Sequence, residues 1–153
     1  MAETGRILAL DLGKKRIGLA LSDELGVTAQ GLETLERQGR RADIEVLRRL
    51  TVQRGVTKIL LGDPLHMSGE VSEQGEYTRE FARELERKTG LPVVFRDERL
   101  TSWEAAQTLR EMGVLDSPRG MIDRMSAVIL LQGYLDELRP PALLTDDGAG
   151  GGR

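Results

Sequence analysis

The first twenty residues contain the pattern that most narrows the possible folds, a β-hairpin whose first strand ends in a carboxylate. Residues 6–10 are apolar after the first position and stop at Asp11, which is typical of a buried strand. A Gly-Lys-Lys sequence at 13–15 predicts a turn, and residues 16–21, apolar after Arg16, predict the returning strand. The chain therefore begins with an antiparallel pair that carries a charged group at one edge.

After this hairpin, strands and helices alternate, which predicts an α/β fold with a mixed sheet and helices on both faces. The expected order is β-β-β-α-β-α-β-α-α within one domain at 1–138. A Pro-Pro pair and a Gly-rich end predict a disordered tail at 139–153. The later strands are expected at 27–35, 56–61 and 93–96, and the helices at 41–54, 71–88, from a capping box at 101, and from 117 to about 138.

The composition restricts the function classes. The 153 residues carry a net charge of -3 and no cysteine, so a disulfide framework and Cys-ligated zinc are excluded. No apolar run approaches the ~20 residues of a membrane span, and no signal-like segment opens the sequence, so we expect a cytoplasmic protein. Aromatic residues make up only 3%, which disfavours a stacking platform for single strands. A nucleic-acid partner would be recognised through its backbone and shape.

Three carboxylates stand where a metal site could form. Asp11 ends the first strand, Glu98 follows the last predicted strand, and Asp123 lies one turn into the last helix. The carboxyl ends of parallel strands meet at one sheet edge, so Asp11 and Glu98 can converge there. The small Ser126 and Ala127 share a helix face with Asp123 and would allow its close approach. Three carboxylates repel one another, and Mg²⁺, which prefers oxygen ligands, would relieve that repulsion.

Four segments, in order and at a characteristic spacing, resemble a known family. With them the chain resembles the YqgF family, Holliday-junction-resolvase-like proteins to which a pre-16S ribosomal RNA nuclease activity is ascribed, from about residue 5 to 138. The resemblance implies an RNase H-like fold, metal-dependent phosphodiester hydrolysis and a role in maturing small-subunit ribosomal RNA. The segments are 11–20 (DLGKKRIGLA), 62–69 (GDPLHMSG), 97–102 (DERLTS) and 123–135 (DRMSAVILLQGYL).

The resemblance also implies the site residues. The acidic set that would bind Mg²⁺ or Mn²⁺ and act in catalysis falls on Asp11, Glu98 and Asp123. Asp63, His66 and Ser126 depart from the usual residues of the family, and Asp63 leaves open how the following loop meets the substrate. Three groups of residues are candidates for substrate binding. The basic hairpin tip offers Lys14, Lys15 and Arg16. Arg99 stands next to Glu98, and the loop after the fourth strand contains Pro64 and His66.

Each of these features also has a purely structural interpretation. The hairpin tip could be a solvated turn, and the arginines at 37, 40, 41, 48 and 49 are expected to form a solvated helix face, with a nucleic-acid patch as the alternative.

The favoured partner is precursor ribosomal RNA, with branched DNA as the alternative substrate. A catalytically silent nucleic-acid-binding accessory factor and a phosphotransferase of the actin and sugar-kinase kind are the competing functions. The oligomeric state stays open.

Overall fold

Five strands form one mixed sheet in the computed structural model, which describes residues 5–63, 73–97 and 119–138. The strand order is β3-β2-β1-β4-β5, with β1–β2 and β2–β3 antiparallel and with β1–β4 and β4–β5 parallel. The strands are β1 (Arg6–Leu12), β2 (Arg16–Ser22), β3 (Ala29–Glu36), β4 (Val56–Asp63) and β5 (Val93–Asp97), and the helices are α1 (Arg40–Arg54), α2 (Glu73–Thr89) and α3 (Arg119–Leu138).

The eight predicted elements that fall in the described ranges are all present, with boundaries shifted by up to two residues. The shift at β3 arises from the turn before it, where the Asp23 carboxylate accepts the N–H groups of Val27 and Thr28 at 2.7 and 3.0 Å. The Thr28 and Val27 N–H groups, in that order, lower the pKa of Asp23. The helix predicted from 101 and the tail at 139–153 lie outside the described residues and stay predictions.

The central strand β1 is buried on both faces, and its alternation assigns each residue to one of two cores. Leu8, Leu10 and Leu12 belong to the core beneath α1 and α2. Ile7 and Ala9 belong to the opposite core, which α3 covers with Ala127, Leu130, Leu131 and Leu135. Helices on both faces confirm the predicted layer order.

Arg37 joins the hairpin tip to both helices of the first face. Its Nε donates to the Asp43 carboxylate of α1 at 3.1 Å, and a guanidinium N–H donates to the Gly13 carbonyl at 2.9 Å. Another guanidinium N–H donates to the Tyr77 hydroxyl on α2. The expectation that Arg37 lies on a solvated helix face was wrong, because it precedes α1 and its side chain is only 13% exposed. Asp43 is 1% exposed, so this ion pair is buried.

Helix α1 ends as the sequence predicts, at a glycine in the left-handed conformation. Gly55 has φ 67°, and its N–H donates to the Thr51 carbonyl. The exposed arginines of α1 behave as the solvated face that we expected, since Arg48 and Arg49 both pair with Glu45. Although α3 has 20 residues, neither it nor another helix in the described ranges is long and apolar enough to cross a membrane.

Replacing Asp43 tests how much of the fold depends on this ion pair. Asp43→Asn keeps the size of the side chain but leaves the Arg37 guanidinium without its buried counter-charge. We expect the free energy of unfolding to fall by about 3–5 kcal/mol, the usual result of removing one partner of a buried pair. Urea denaturation followed by circular dichroism measures it. Glu45→Gln, which removes an exposed pair on the same helix, is the control and should leave the midpoint unchanged. Equal midpoints in both variants would contradict the prediction.

Candidate nucleic-acid interface

Asp11 lies near the carboxyl end of β1, on the face that α3 covers. Alternate residues Ile7 and Ala9 point into the core beneath α3, so Asp11, the next in the series, belongs to the same face. Unlike these two buried residues, Asp11 is half-buried. The strand therefore brings one carboxylate from the core to an accessible sheet edge.

The positions beside Asp11 on both neighbouring strands are glycines. Asp11 pairs with Gly18 on β2, and one residue beyond the Leu10–Leu61 pair β4 reaches Gly62. Both glycines continue the series of Ala20 and Leu60, which lie on the α3 face. Neither of the two neighbouring strands therefore places a side chain beside Asp11 at this level of the sheet.

Arg96 stands on β5 in the same cross-strand row, opposite Gly62, and its side chain reaches the second half of α3. Its guanidinium lies 2.5 Å from the Glu137 carboxylate of α3. A Cβ added to Gly133 would come within 2.6 Å of the same guanidinium, so a larger residue there would displace the end of the Arg96 side chain. Sequence reasoning missed Arg96, because its contact is with Glu137, 41 residues further along the chain, and no local pattern indicates that pairing.

The hairpin tip places three of the predicted substrate contacts next to Asp11. The Gly13 N–H donates to the Arg16 carbonyl at 2.8 Å, and a Cβ on Gly13 would lie 2.7 Å from that oxygen. The tight turn leaves Lys14 and Lys15 exposed. Arg16 is partly buried, and its guanidinium lies 3.8 Å from the Glu36 carboxylate across the β2–β3 pair. Two lysines therefore project from this tip, while Arg16 already has a protein partner.

Helix α3 is anchored to the opposite end of the sheet by its second half. The Gln132 side chain accepts the Ala29 N–H at 3.0 Å and donates to the Val27 carbonyl at 2.9 Å. Ala29 pairs with Ser22, whose hydroxyl accepts the N–H of Ile7 at the start of β1. The second half of α3 is thereby fixed at the end of the sheet where β1 begins.

The structure describes only part of the predicted acidic set. Asp11 is described in full, and Asp123 is placed by its backbone in the second turn of α3. Within residues 5–63, 73–97 and 119–138, no group of three or more His, Cys, Asp or Glu residues could hold a metal ion. Four predicted site residues lie outside the described residues and stay predictions: Glu98, Arg99, Pro64 and His66.

Comparison with known proteins identifies a family for nearly the whole chain. The family model described as "RuvX: Holliday junction resolvase" matches residues 5–137. A Koribacter versatilis protein named "Putative pre-16S rRNA nuclease" is 50% identical over 133 residues, covering 86% of this chain and 87% of its own length. A protein of the same name from Moorella thermoacetica is 46% identical over 134 residues, covering 87% and 96%.

Two solved structures share the fold at low sequence identity. Thermus thermophilus RuvC in complex with a Holliday junction substrate has a TM-score of 0.52 at 12% identity, covering 88% of this chain and 96% of that one. The Fowlpox virus resolvase in complex with Holliday junction DNA has a TM-score of 0.57 at 12% identity, covering 88% and 99%. At this identity the likeness shows the fold alone, and it confirms the RNase H-like architecture predicted from the sequence.

The contact between α3 and the sheet should not tolerate a larger side chain. Ala127 is fully buried in the core that also contains Ala9, Ala20 and Leu60, so Ala127→Leu would force the first half of α3 outward. We expect the free energy of unfolding to fall by about 1–3 kcal/mol, as for other overpacked cores. Urea denaturation measures it, with Ile129→Leu on the same helix as a control that conserves volume. A stability equal to wild type would mean that α3 does not pack this closely.

Proposed function

Because the chain belongs to the RuvX family, we propose that it is a nuclease that hydrolyses phosphodiester bonds in structured nucleic acid, with precursor 16S ribosomal RNA as its substrate. The observation that carries this proposal is Asp11, a carboxylate at the accessible carboxyl edge of the central strand, flanked by the glycines at 18 and 62. The names of the relatives at 50% and 46% identity favour the RNA. We place the activity in the cytoplasm, where ribosomal RNA precursors are made in bacteria.

The chemistry of the donors at this edge fits Mg²⁺ or Mn²⁺. Carboxylate oxygens are the ligands that these cations prefer, and the glycines at 18 and 62 on the neighbouring strands add no side chain beside Asp11. β5 runs parallel to β4 and β1, so the chain leaves β5 at the same edge, with Glu98 next after its last residue. β1 and β5 are separated only by β4, which corresponds to about 10 Å. We therefore propose Asp11 and Glu98 as two of the metal ligands.

Asp123 is proposed as the third ligand from the placement of α3. Gln132 fixes the second half of the helix at the end where β1 begins, and Asp123 precedes it by nine residues, about 13.5 Å along the axis. The distance along β1 from Ile7 to Asp11 is about 13 Å. Since Ala127 lies between these points in the core above Ala9, the helix leads back toward the Asp11 edge. Close packing at Ala127 then sets the height of Asp123 above the sheet.

The chain's own groups would bind and orient the substrate around this site. Lys14 and Lys15 bind backbone phosphates beside the bond that is cut. The Arg37 guanidinium, which donates to the Gly13 carbonyl, holds the tip that carries them. Cations bound by the three carboxylates would supply an activated water and neutralise charge on the phosphate. Three further contacts are proposed from the segments that follow β4 and β5, which both leave the sheet at this edge: Pro64, His66 and Arg99.

A four-way DNA junction is the second candidate substrate, because the family model carries the description of a Holliday junction resolvase. Incubating the purified chain with labelled precursor RNA and with a four-way DNA junction, in Mg²⁺, Mn²⁺ or EDTA, separates the two substrates. Faster metal-dependent cutting of the RNA supports the first candidate. Binding without cutting of either substrate would favour an accessory factor instead.

Asp11→Asn tests the proposed chemistry directly. The change keeps the shape of the side chain and removes one ligand charge, so cleavage should fall by at least about a hundredfold, since loss of even an outer-shell partner can cost ~10–100-fold. Gel analysis of labelled RNA under single-turnover conditions measures the rate. Asp23→Asn is the matched control, because that carboxylate serves a turn at the opposite end of β2. A folded Asp11→Asn protein that cuts at the wild-type rate would exclude the proposed metal site.

The salt dependence of binding tests the hairpin tip. Removing one phosphate contact should lower the magnitude of the log-affinity against log-salt slope by about 0.7–0.9, so Lys14→Ala with Lys15→Ala should lower it by twice that amount. Fluorescence anisotropy of labelled RNA across a salt series measures the slope. Lys88→Ala, an exposed lysine in the last turn of α2, is the control and should leave the slope unchanged. Identical slopes for the tip variant and wild type would show that the tip is a solvated turn.

A further inference from the structure

A pocket of about 730 Å³ opens on the opposite side of the hairpin tip from the Asp11 carboxylate. Leu12, the residue after Asp11, lines it and belongs to the core beneath α1 and α2, whereas Asp11 belongs to the α3 face. Lys14 lines the pocket from the tip, so the same turn borders both sites. The volume lies within the ~300–1,000 Å³ of small-ligand sites.

The inner wall of the pocket consists of flat groups held in fixed positions. The Arg37 guanidinium lies 5.2 Å from the centroid of the Tyr77 ring, and the Arg40 guanidinium lies 5.9 Å from it. Hydrogen bonds to Asp43 and to the Gly13 carbonyl fix the plane of Arg37. Aromatic rings and guanidinium planes are the groups on which proteins stack unpaired bases. The wall therefore offers a site for one base rather than a platform for several.

The outer wall carries the charges that a phosphate requires. Arg40 pairs with Glu80 at 3.3 Å and with Glu84 at 3.2 Å, and its side chain is 40% exposed. The Arg40–Glu80 pair is exposed on both sides and contributes little, so a phosphate can replace Glu80 at the guanidinium. Lys14 is exposed at the tip, where its ammonium group can reach a phosphate that leaves the Asp11 edge.

We propose that this pocket binds one unpaired nucleotide of the substrate strand, next to the cut bond, with its phosphate at Lys14 and Arg40 and its base against the Arg37–Tyr77 wall. The proposal rests on the proposed nuclease function and assigns part of its substrate specificity. The substrate strand then passes over the hairpin tip, from the face of the sheet that carries Asp11 to the face covered by α1 and α2. A substrate that is unpaired beside the cut bond is then preferred over one that is fully paired there.

The test compares an RNA stem-loop that has a short unpaired flank beside the cut bond with the same stem without a flank. Flanks on the 5′ side and on the 3′ side are tested separately, by fluorescence anisotropy in EDTA so that no cutting occurs. The flank advantage is defined as the ratio of the two dissociation constants. We expect it to reach at least about fivefold for one of the two sides, the lower end of the contribution of one stacked base. A ratio near one on both sides would overturn the proposal.

Adjacent arginines on α1 provide the matched variants. Arg40 lines the pocket, whereas Arg41 is exposed on the next position of the helix and does not line it. Arg40→Gln should reduce the flank advantage to near one, and Arg41→Gln should preserve it. Equal reductions in the two variants would show a general effect of charge and overturn the proposal. Circular dichroism verifies that each variant folds. Lys14→Ala and Lys15→Ala give a second comparison, on an exposed turn. Only Lys14→Ala should lower the flank advantage.

Cleavage of the unflanked stem in Mg²⁺ separates this inference from the nuclease function. If wild type cuts that stem but shows no flank advantage, the pocket proposal fails and the nuclease proposal stands. If the flank advantage depends on Arg40 but no variant or condition gives metal-dependent cutting, the nuclease proposal fails and the pocket remains a nucleotide-binding site. Asp11→Asn should keep the full flank advantage, because Asp11 lies on the other face of the sheet. Loss of the advantage in that variant would contradict the assigned position of the nucleotide.

Discussion

The buried ion pair between Arg37 and Asp43 is the interaction on which the hairpin tip and the sheet edge beside Asp11 depend. Asp43 also accepts the N–H of Gln38, so one carboxylate fixes the entry of the chain into α1. The guanidinium reaches the Gly13 carbonyl at the hairpin tip and the Tyr77 hydroxyl on α2. A charge buried this deeply is costly unless every hydrogen-bonding group finds a partner, and here the partners lie on three different elements. Satisfying the charge therefore forces the tip, α1 and α2 into one arrangement.

That arrangement gives the sheet edge two sides with different chemistry. Alternation along β1 sends Asp11 to the α3 face and Leu12 to the face of α1 and α2. The Asp11 side carries the proposed site for cations and for the bond that is cut, and the other side offers guanidinium planes and an aromatic ring. Asp11 and Leu12, which mark the two faces, are consecutive residues. A substrate strand that passes over the short tip at 13–15 can therefore reach both the proposed metal site and the pocket. Rigidity of the tip, supplied by Arg37, then matters for both.

Local pattern predicts most of this fold, and long-range contacts account for the rest. The hairpin, the alternation of strands and helices and the end of α1 at Gly55 follow from periodicity and turn chemistry. The importance of Arg37 does not, because a run of arginines before and within a helix looks solvated until the fold supplies a buried Asp43. The sequence also locates Asp11 at a strand end. It cannot show that glycines stand beside that carboxylate on both neighbouring strands, which depends on the register of β1 with β2 and β4.

Four glycines of the segments that resemble the family have separate physical explanations in the described structure. A Cβ at Gly13 would meet the Arg16 carbonyl, and one at Gly133 would meet the Arg96 guanidinium, so these two permit close contacts. Gly18 and Gly62 instead keep side chains away from Asp11. The first pair acts on stability and the second on access to the carboxylate. A bulky residue at either flanking position would therefore impair ligand binding at Asp11 even where the strand itself tolerates it, which separates the needs of the site from those of the fold.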